Sequence, residues 1–472
     1  MIQPTDIDHD GTVKYCRVHD MVLDLIISLS DEQNFAIVLN GRVCNSFPNK
    51  IRRLSMKFSG KEHNAAVYAI TETKKYVRSL TTFRQVQQIP HLVLVDFLAL
   101  RVLDLEGFYY LENKHVKHIG SSRQLRYLRI HSGKITELPD EIGKLQQLET
   151  LDLRHCYSLL RLPSTMVQLQ KLVRLFVTDY TQLPASEFRS LQALGELRFS
   201  ETDDPVRIAE EVNELGKCNL RYLRTGEIAE RLFCNPCCTY PCLQVLKIKS
   251  DIEMEMVPRG MASLKNLMRL WIQVRQFEEE GLQVLMGMPS LTHLQLNIQT
   301  EMKEKLAVGS NGFKLLKVFR FKYRSNPSAF KFERTSSGGL DISENKPDGL
   351  GLTFVPGAVP ALRCLCLKLS PMTVASDFFA DLGVEHLPGL VHLKVEINCN
   401  RATPGRVEAV ESSVEKAINL HTNREIHVQR VSEDSMFKDE KEWEEAVLKK
   451  RKEMEEMLRR ILDGRLARRN ET

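Results

Sequence analysis

The sequence lacks the features of a membrane-spanning or secreted chain. It has no run of about 18 apolar residues, and the nearest approach, residues 92–105, is interrupted by Asp96 and Arg101. The first residues are polar and acidic, which excludes an ordinary secretory signal. The 11 cysteines follow no regular framework, so we expect reduced thiols. These absences predict a cytoplasmic protein without a membrane span.

Catalytic and cofactor motifs are also missing. The chain contains no G-x-x-x-x-G-K-[ST] phosphate loop, no H-E-x-x-H, no G-x-S-x-G and no kinase signature. The net charge is only +5, from 66 Lys and Arg against 61 Asp and Glu, and no nucleic-acid recognition module is present. We therefore expect no enzyme, no cofactor and no nucleic-acid partner, although a site assembled from distant segments stays possible.

One cluster of cysteines is a candidate zinc site. Cys234, Cys237, Cys238 and Cys242 place four thiols within nine residues, next to two prolines. Structural zinc is usually held by two ligand pairs that a longer stretch separates. The spacing therefore favours loop and core thiols over a zinc site, and we predict no metal.

What the chain does contain is a repeat. Leu125, Leu128 and Ile130 have the spacing L-x-x-L-x-L, and the same pattern restarts at Leu148 and again at Leu172. A period of 23 to 24 residues with this spacing is typical of a leucine-rich repeat. The last two apolar residues alternate with polar ones, so they point to one face of a short strand. Stacked coils then share a continuous core that no single coil could form.

The same opening position recurs along most of the chain, at intervals of 22 to 28 residues and one of 46. The positions are Ile51, Val77, Leu100, Leu125, Leu148, Leu172, Leu194, Leu220, Leu243, Leu267, Leu291, Leu316, Leu362 and Leu390. They predict an α/β fold: a horseshoe-shaped solenoid of about fourteen coils with a parallel β-sheet on its concave face.

The segments outside the repeats divide the chain further. We expect a turn or irregular terminus over residues 1–14, a helix over 18–29, and the solenoid over 50–400 with a mobile loop inserted at about 325–350. Residues 404–430 are predicted to form a helix and strand that cap the last coil. Residues 438–470 are expected to form a charged helix, with a partner-helix seam as the alternative.

The stretch CRVHDMVLDLI, residues 16–26, resembles the end of the nucleotide-binding module of plant nucleotide-binding leucine-rich-repeat disease resistance proteins. His19 and Asp20 match that family's His-Asp motif, and residues 352–367 resemble its cereal coiled-coil members. The resemblance implies that residues 1–40 are a remnant of the winged-helix end of the module, in an N-terminally truncated receptor. Because the phosphate loop is missing, we expect His19 and Asp20 to be vestigial.

The residues beside the inner leucines define a candidate binding face, where Arg and Lys outnumber Asp and Glu. Trp, Tyr and Arg often dominate protein interfaces, although strands also carry such residues without binding anything. The candidate protein-binding residues are Tyr127, Arg129, Arg154, Arg174, Phe176, Arg198, Tyr222, Arg224, Lys247, Arg269, Trp271 and Arg320.

These features together predict recognition in plant innate immunity. The expected partner is a protein with an acidic surface, either a pathogen effector or a domain of an immune receptor. Two alternatives stay open: an intracellular leucine-rich-repeat scaffold without an immune role, and a nucleotide-dependent switch if a longer gene product exists. The His-Asp stretch argues against the scaffold, which has no reason to carry it.

Overall fold

The computed structural model describes most of the chain in two compact units. One unit is Met1–Met254 with Pro258–Ile272, and the other is Glu255–Val257 with Gln273–Thr472. The described residues are 2–7, 13–33, 35–39, 51–57, 74–83, 97–106, 109–184, 187–200, 202–226, 228–234, 239–249, 254–300, 302, 305–323, 330–334, 340–344, 351–372, 374, 378–418, 425–449, 452–453 and 456.

The chain begins with a β-hairpin and a helix. Strands β1 (Ile2–Ile7) and β2 (Val13–Val18) pair antiparallel and are followed by helix α1 (Asp20–Glu32) and strand β3 (Ile37–Leu39). Our expectation of an irregular terminus was therefore wrong. The Asp10-Gly11 dipeptide between the two strand segments is the sequence signal for a hairpin.

In the first unit, short strands pair in parallel and in sequence order, one from each coil. They are β4 (Arg53–Lys57), β5 (Ser79–Phe83), β6 (Val102–Leu105), β7 (Tyr127–Ile130), β8 (Thr150–Asp152), β9 (Arg174–Phe176), β10 (Glu196–Arg198), β11 (Tyr222–Thr225), β12 (Val245–Ile248) and β13 (Arg269–Val274). Buried and partly exposed residues alternate in β5, β6, β7, β11 and β12, so each strand has an inner and an open side.

Burial of the periodic apolar residues explains this stacking. All fourteen predicted opening positions are at most 5% exposed, so the predicted repeat register is confirmed. Leu128 on β7 and Leu151 on β8 are fully buried and lie in register in neighbouring strands. The predicted α/β leucine-rich-repeat solenoid is therefore confirmed, because each coil contributes its leucines to one shared core.

Helical segments return the chain to the next strand. Several coils use a single turn of 3₁₀-helix, as in Asp140–Lys144 and Ser164–Gln168. Others use α-helices: α2 (Asn113–Val116), α3 (Pro205–Gly216) and α4 (Ala229–Phe233). Glycine permits the closest approach between such turns. A Cβ built on Gly143 would lie 2.7 Å from the carbonyl oxygen of Thr165 in the next coil.

The second unit continues the same pattern in its own residues. Helix α5 (Glu279–Met286) precedes a parallel sheet with strand order β14 (His293–Ile298), β16 (Val318–Tyr323), β20 (Cys364–Leu369), β21 (His392–Asn398) and β22 (Glu425–Val431). A separate parallel pair joins β15 (Leu306–Val308) to β19 (Leu352–Phe354). Helix α6 (Phe378–Leu382) follows β20.

The predicted mobile loop at 325–350 contains a regular element. Strands β17 (Phe330–Arg334) and β18 (Leu340–Glu344) pair antiparallel. Our loop prediction for these residues was wrong, because it rested on the Ser, Gly and Pro content of the whole stretch. Both strand segments alternate apolar and polar residues, which is the local signal for a strand.

The C-terminal part contains the predicted helix, strand and charged helix. Helix α7 (Pro404–Ile418) leads to β22, which pairs in parallel with β21, and residues 440–449 are helical. On α7, the Arg406 guanidinium lies 3.1 Å from an Oε1 atom of Glu440 and 4.2 Å from the ring centre of Trp443. The charged helix is thus attached to α7 by its first turn. The remainder of the predicted 438–470 helix lies largely outside the described residues.

Candidate protein-binding surface

The sheet of the first unit brings the predicted binding residues into two rows. Parallel strands in register place equivalent side chains about 4.8 Å apart. The first row is Tyr127, Thr150, Arg174, Glu196, Tyr222, Val245 and Arg269. The second row is Arg129, Asp152, Phe176, Arg198, Arg224, Lys247 and Trp271. Arg154 lies two residues after the end of β8, and Arg320 lies in the second unit.

At the β6–β8 end of these rows, arginine is neutralised by carboxylates. Arg129 donates two hydrogen bonds of 2.9 Å to Glu106, and lies 3.8 Å from both Asp104 and Asp152. Burial raises the pKa of Asp104, and the charge of Arg129 opposes this increase only in part. Arg129 is therefore engaged within the protein and has limited capacity for an external acid.

Arg154 and Arg174 are also paired. Arg154 binds both carboxylate oxygens of the buried Asp152, at 2.9 and 2.6 Å. Burial alone would raise the pKa of Asp152, but the hydrogen bonds from Arg154 outweigh it and hold that pKa below its ordinary value. Arg174 donates to Glu196 at 2.9 Å in a more exposed position.

An acid from a loop pairs with Arg224. Asp179 follows β9, and its Oδ1 and Oδ2 atoms lie 3.2 and 3.3 Å from Nη1 and Nη2 of Arg224. The Lys249 ammonium lies 4.0 Å from the same carboxylate. Because Asp179 is outside the strands, the sequence analysis had not placed it on this face.

Arg198 has a different environment from these arginines. Among the described residues, no carboxylate lies within salt-bridge distance of it, and its Nε atom is buried without a hydrogen-bond partner. Burial lowers the pKa of Arg198, repulsion from the neighbouring Arg224 lowers it further, and attraction to the Asp179 carboxylate opposes both only in part. The Arg198 guanidinium is therefore a donor on this face for which the described residues supply no close acceptor.

Aromatic rings border the cationic groups. The Lys247 ammonium lies 4.1 Å from the ring centre of Trp271 and 5.9 Å from that of Tyr222. The Arg154 guanidinium lies 5.2 Å from the ring centre of Phe176. Cation–π contacts at these distances hold the side chains in place without removing their charge.

A second aromatic group was missed by sequence reasoning. His131 and His155 stack with ring centres 4.3 Å apart, and Tyr109 packs edge-on against His131 at the same distance. His155 Nδ1 lies 3.1 Å from the hydroxyl of Tyr157. Burial lowers the pKa of both histidines. Their 24-residue spacing in the repeat was the available signal, because equivalent coil positions stack.

In the second unit, Arg320 lies in register with Cys366 on β20, which in turn pairs with Lys394 on β21. Arg320 is partly exposed on the open side of its strand. Arg320, Cys366 and Lys394 lie on strands of the second unit, whereas the other candidate residues lie in the first unit.

The remaining sequence candidates do not form a site in the described residues. His19 and Asp20 are exposed at the start of α1, where the His19 carbonyl accepts hydrogen bonds from Val22 and Leu23. Cys234 is exposed, while Cys237 and Cys238 lie outside the described residues. Within the described parts of the chain, no group of three or more His, Cys, Asp or Glu is placed to hold a metal ion.

No helix among the described residues is both long enough and apolar enough to cross a membrane.

Comparison with protein families assigns the fold to a class. Residues 76–231 and 218–427 match a family described as "Leucine-rich repeat region". These segments cover well over half of the chain. The chain therefore belongs to the leucine-rich-repeat family.

Curated relatives narrow the comparison further. The chain is 24% identical to disease resistance protein Pik-2 of Oryza sativa subsp. japonica over 507 residues, covering 88% of this chain and 46% of that protein. It is 24% identical to disease resistance protein RPP8 of Arabidopsis thaliana over 427 residues, covering 81% and 43%. The chain spans about half the length of the curated relatives it matches. The predicted resemblance to plant disease resistance proteins is confirmed.

Among solved structures, an internalin (inlF) from Listeria monocytogenes aligns with a TM-score of 0.39 and 15% identity, covering 57% of this chain and 82% of that chain.

Proposed function

We propose that this chain is a recognition module of plant innate immunity that binds a protein partner through the open face of its first-unit sheet. The similarity to Pik-2 over 88% of the chain supports the immune assignment. The proposed role is binding, without a catalytic step, and the expectation that the chain is not an enzyme stays a prediction. We place this function in the cytoplasm, an assignment with which the free thiols of the described cysteines agree.

The proposed contact is centred on Arg198. A guanidinium that has lost part of its hydration and has no carboxylate partner gains strongly from an external acid, because charge-assisted hydrogen bonds are the stronger kind. Arg129, Arg154, Arg174 and Arg224 already bind acids of this chain. These four arginines contribute to the shape of the surface, but their charges are largely neutralised by the chain's own acids.

The partner that fits this surface has an acidic side chain flanked by apolar groups. The carboxylate would reach Arg198, while the apolar groups would cover Tyr222 and Trp271, which lie in the same two rows. Buried aromatic and arginine anchors at the centre of an interface usually contribute most of its binding energy. Such a partner could be a pathogen effector or a domain of an immune receptor.

Binding can be tested with two libraries displayed on phage, one of secreted pathogen proteins and one of plant immune-receptor domains. The purified full chain would be the target at about 0.15 M salt. Each selected protein is then titrated against the wild type, Arg198→Gln, Trp271→Ala and the control Arg123→Gln. Arg123 is exposed and lies outside both rows.

We expect the first two variants to lose at least tenfold in affinity, which corresponds to about 1.4 kcal/mol, and the control to retain wild-type affinity. Equal affinity for all four proteins would reject this surface. Enrichment from one library alone would identify the class of partner, and enrichment from neither would reject the proposed function.

A further inference from the structure

Two cysteines on β20 form a thiol pair on the open side of the second unit's sheet. The Sγ atoms of Cys364 and Cys366 lie 3.6 Å apart, within hydrogen-bonding distance for sulfur. Cys364 is fully buried, whereas Cys366 is partly exposed. The outer thiol is thus accessible and the inner one is its immediate neighbour.

The two adjacent strands surround Cys366 with positive charge. In register, Cys366 lies between Arg320 on β16 and Lys394 on β21, and Cys364 lies between Val318 and His392. The other charged groups in the following row are Lys322 on β16, Lys368 on β20 and Glu396 on β21. Lys368 donates a hydrogen bond to Glu396, so the opposite charges of these two side chains largely cancel near Cys366.

The surroundings favour the thiolate form of Cys366. The hydrogen bond from Cys364 is the largest effect, burial opposes it, and Arg320 and Lys394 add to it. Together they lower the pKa of the Cys366 thiol to about 7. Two other cysteines in the described residues behave in the opposite way: burial raises the pKa of Cys156 to about 11 and also raises that of Cys399.

We propose that Cys366 is a reversible thiol-modification site that reacts with low-molecular-weight disulfides, and that Cys364 is its positioning residue. The Cys366 thiolate attacks one sulfur of the disulfide. The old S–S bond breaks, a mixed disulfide forms on Cys366, and the second sulfur leaves as a thiolate that takes a proton from water. The protein thiol is oxidised and one half of the small disulfide is reduced, so the electrons balance.

Strand geometry explains why the reaction should stop at the mixed disulfide. Residues two apart on a strand have Cα atoms about 6.6 Å apart, near the upper limit for a disulfide. At that separation a bond between Cys364 and Cys366 would be strained, because β20 is held by paired strands on both sides. Cys364 instead donates its S–H to the Cys366 thiolate.

Modification of the Cys366 thiol, in the second unit, is independent of partner binding by the first-unit face. Oxidised glutathione is the probe. The reduced full chain is incubated with it across about pH 5.5 to 9, and the modification of each cysteine is measured by peptide mass mapping. The proteins are the wild type, Cys366→Ser, Cys364→Ala and the double variant Arg320→Gln/Lys394→Gln. The exposed thiols of Cys16 and Cys234 are internal controls.

We expect Cys366 to react faster at neutral pH than either control thiol, with its half-maximal rate near pH 7. Cys364→Ala, which removes the S–H donor, should move that midpoint upward by about one pH unit and reduce the rate at pH 7 about two- to fivefold, because less of the thiol is ionised while the more basic thiolate is more nucleophilic. A purely structural change would not move the midpoint. The double variant should shift it in the same direction by less. Added thiol reductant should restore free Cys366.

Two results would overturn the assignment. One is a Cys366 rate in the wild type no higher than that of Cys234, a comparison that depends on no variant. The other is an unchanged midpoint in a Cys364→Ala protein whose circular dichroism matches that of the wild type.

Discussion

Arg154 binds the carboxylate two residues before it in the chain, with its Nε and Nη2 atoms 2.9 and 2.6 Å from Oδ1 and Oδ2 of Asp152. Asp152 is nearly fully buried and also lies 3.8 Å from Arg129 on the neighbouring strand. The carboxylate therefore joins two coils. Asp104, at the equivalent position on the other side of Arg129, is partly buried and has no comparable hydrogen bonds from arginine.

The first prediction compares these two acids. Asp152→Asn should lower the free energy of unfolding by about 1–2 kcal/mol, a value reduced for the partial exposure of Arg154. Asp104→Asn should lower the free energy of unfolding by less, because burial already disfavours the charged form of Asp104. Urea unfolding at neutral pH measures both, and equal costs would contradict the difference between the two sites.

The same pair gives opposite pH dependences. The pKa of Asp152 is below its ordinary value of 3.8 in the folded state, so its contribution is complete above that value and is lost as the pH falls through the lowered pKa. The pKa of Asp104 is raised, so its charged form opposes folding increasingly as the pH rises from 3.8 through the raised pKa. Unfolding midpoints of both Asn variants below about pH 5 would show whether these directions hold.

A second prediction concerns the histidine stack. Burial lowers the pKa of His131 and His155 from 6.5, so their neutral stacked form stabilises the fold above that pH and loses its effect as the pH falls through the lowered values. His155→Phe keeps an aromatic ring but does not titrate. We expect this variant to lose less stability than the wild type between about pH 6.5 and 5, measured by thermal unfolding. Parallel curves for the two proteins would contradict it.

A third prediction concerns the contact between turns of neighbouring coils. Gly143→Ala should destabilise the fold by about 1–3 kcal/mol, because the new Cβ would lie 2.7 Å from the backbone oxygen of Thr165. Gly133→Ala is the matched control, since a Cβ there meets nothing within 4 Å. Its effect should stay within about 0.5 kcal/mol. Thermal unfolding that ranks the two variants alike would be inconsistent with this packing.

A fourth prediction concerns the charged helix at residues 440–449. Arg406→Gln removes both the ion pair with Glu440 and the contact with the Trp443 ring, so this helix should detach from α7. Tryptic cleavage after Lys441 should then become several-fold faster, as local opening controls access to the bond. Lys416 is exposed on α7, and the control Lys416→Gln should leave the rate of tryptic cleavage unchanged. Similar cleavage of both variants would argue against this attachment.

The repeat made much of the fold predictable. The spacing from Leu125 to Ile130 identifies a strand with an inner and an outer side, and its recurrence places the equivalent residues of the other coils. Elements outside the repeat were less predictable. The β1–β2 hairpin lies in a segment whose first strand is mostly polar, and the β17–β18 hairpin lies in a glycine-rich segment whose composition concealed a local alternation.

The sequence by itself determined which side chains share the open face, because residues two apart on a strand point the same way and the period sets the register. Only the tertiary structure decided which of those side chains are already paired. Asp179 and Arg224 are 45 residues apart and meet because coil stacking brings the loop after β9 to β11. The same stacking leaves Arg198 with no carboxylate of the described residues within salt-bridge distance and places Cys366 between Arg320 and Lys394. Charge pairing depends on distance through space, and one chain's residue order does not specify that distance.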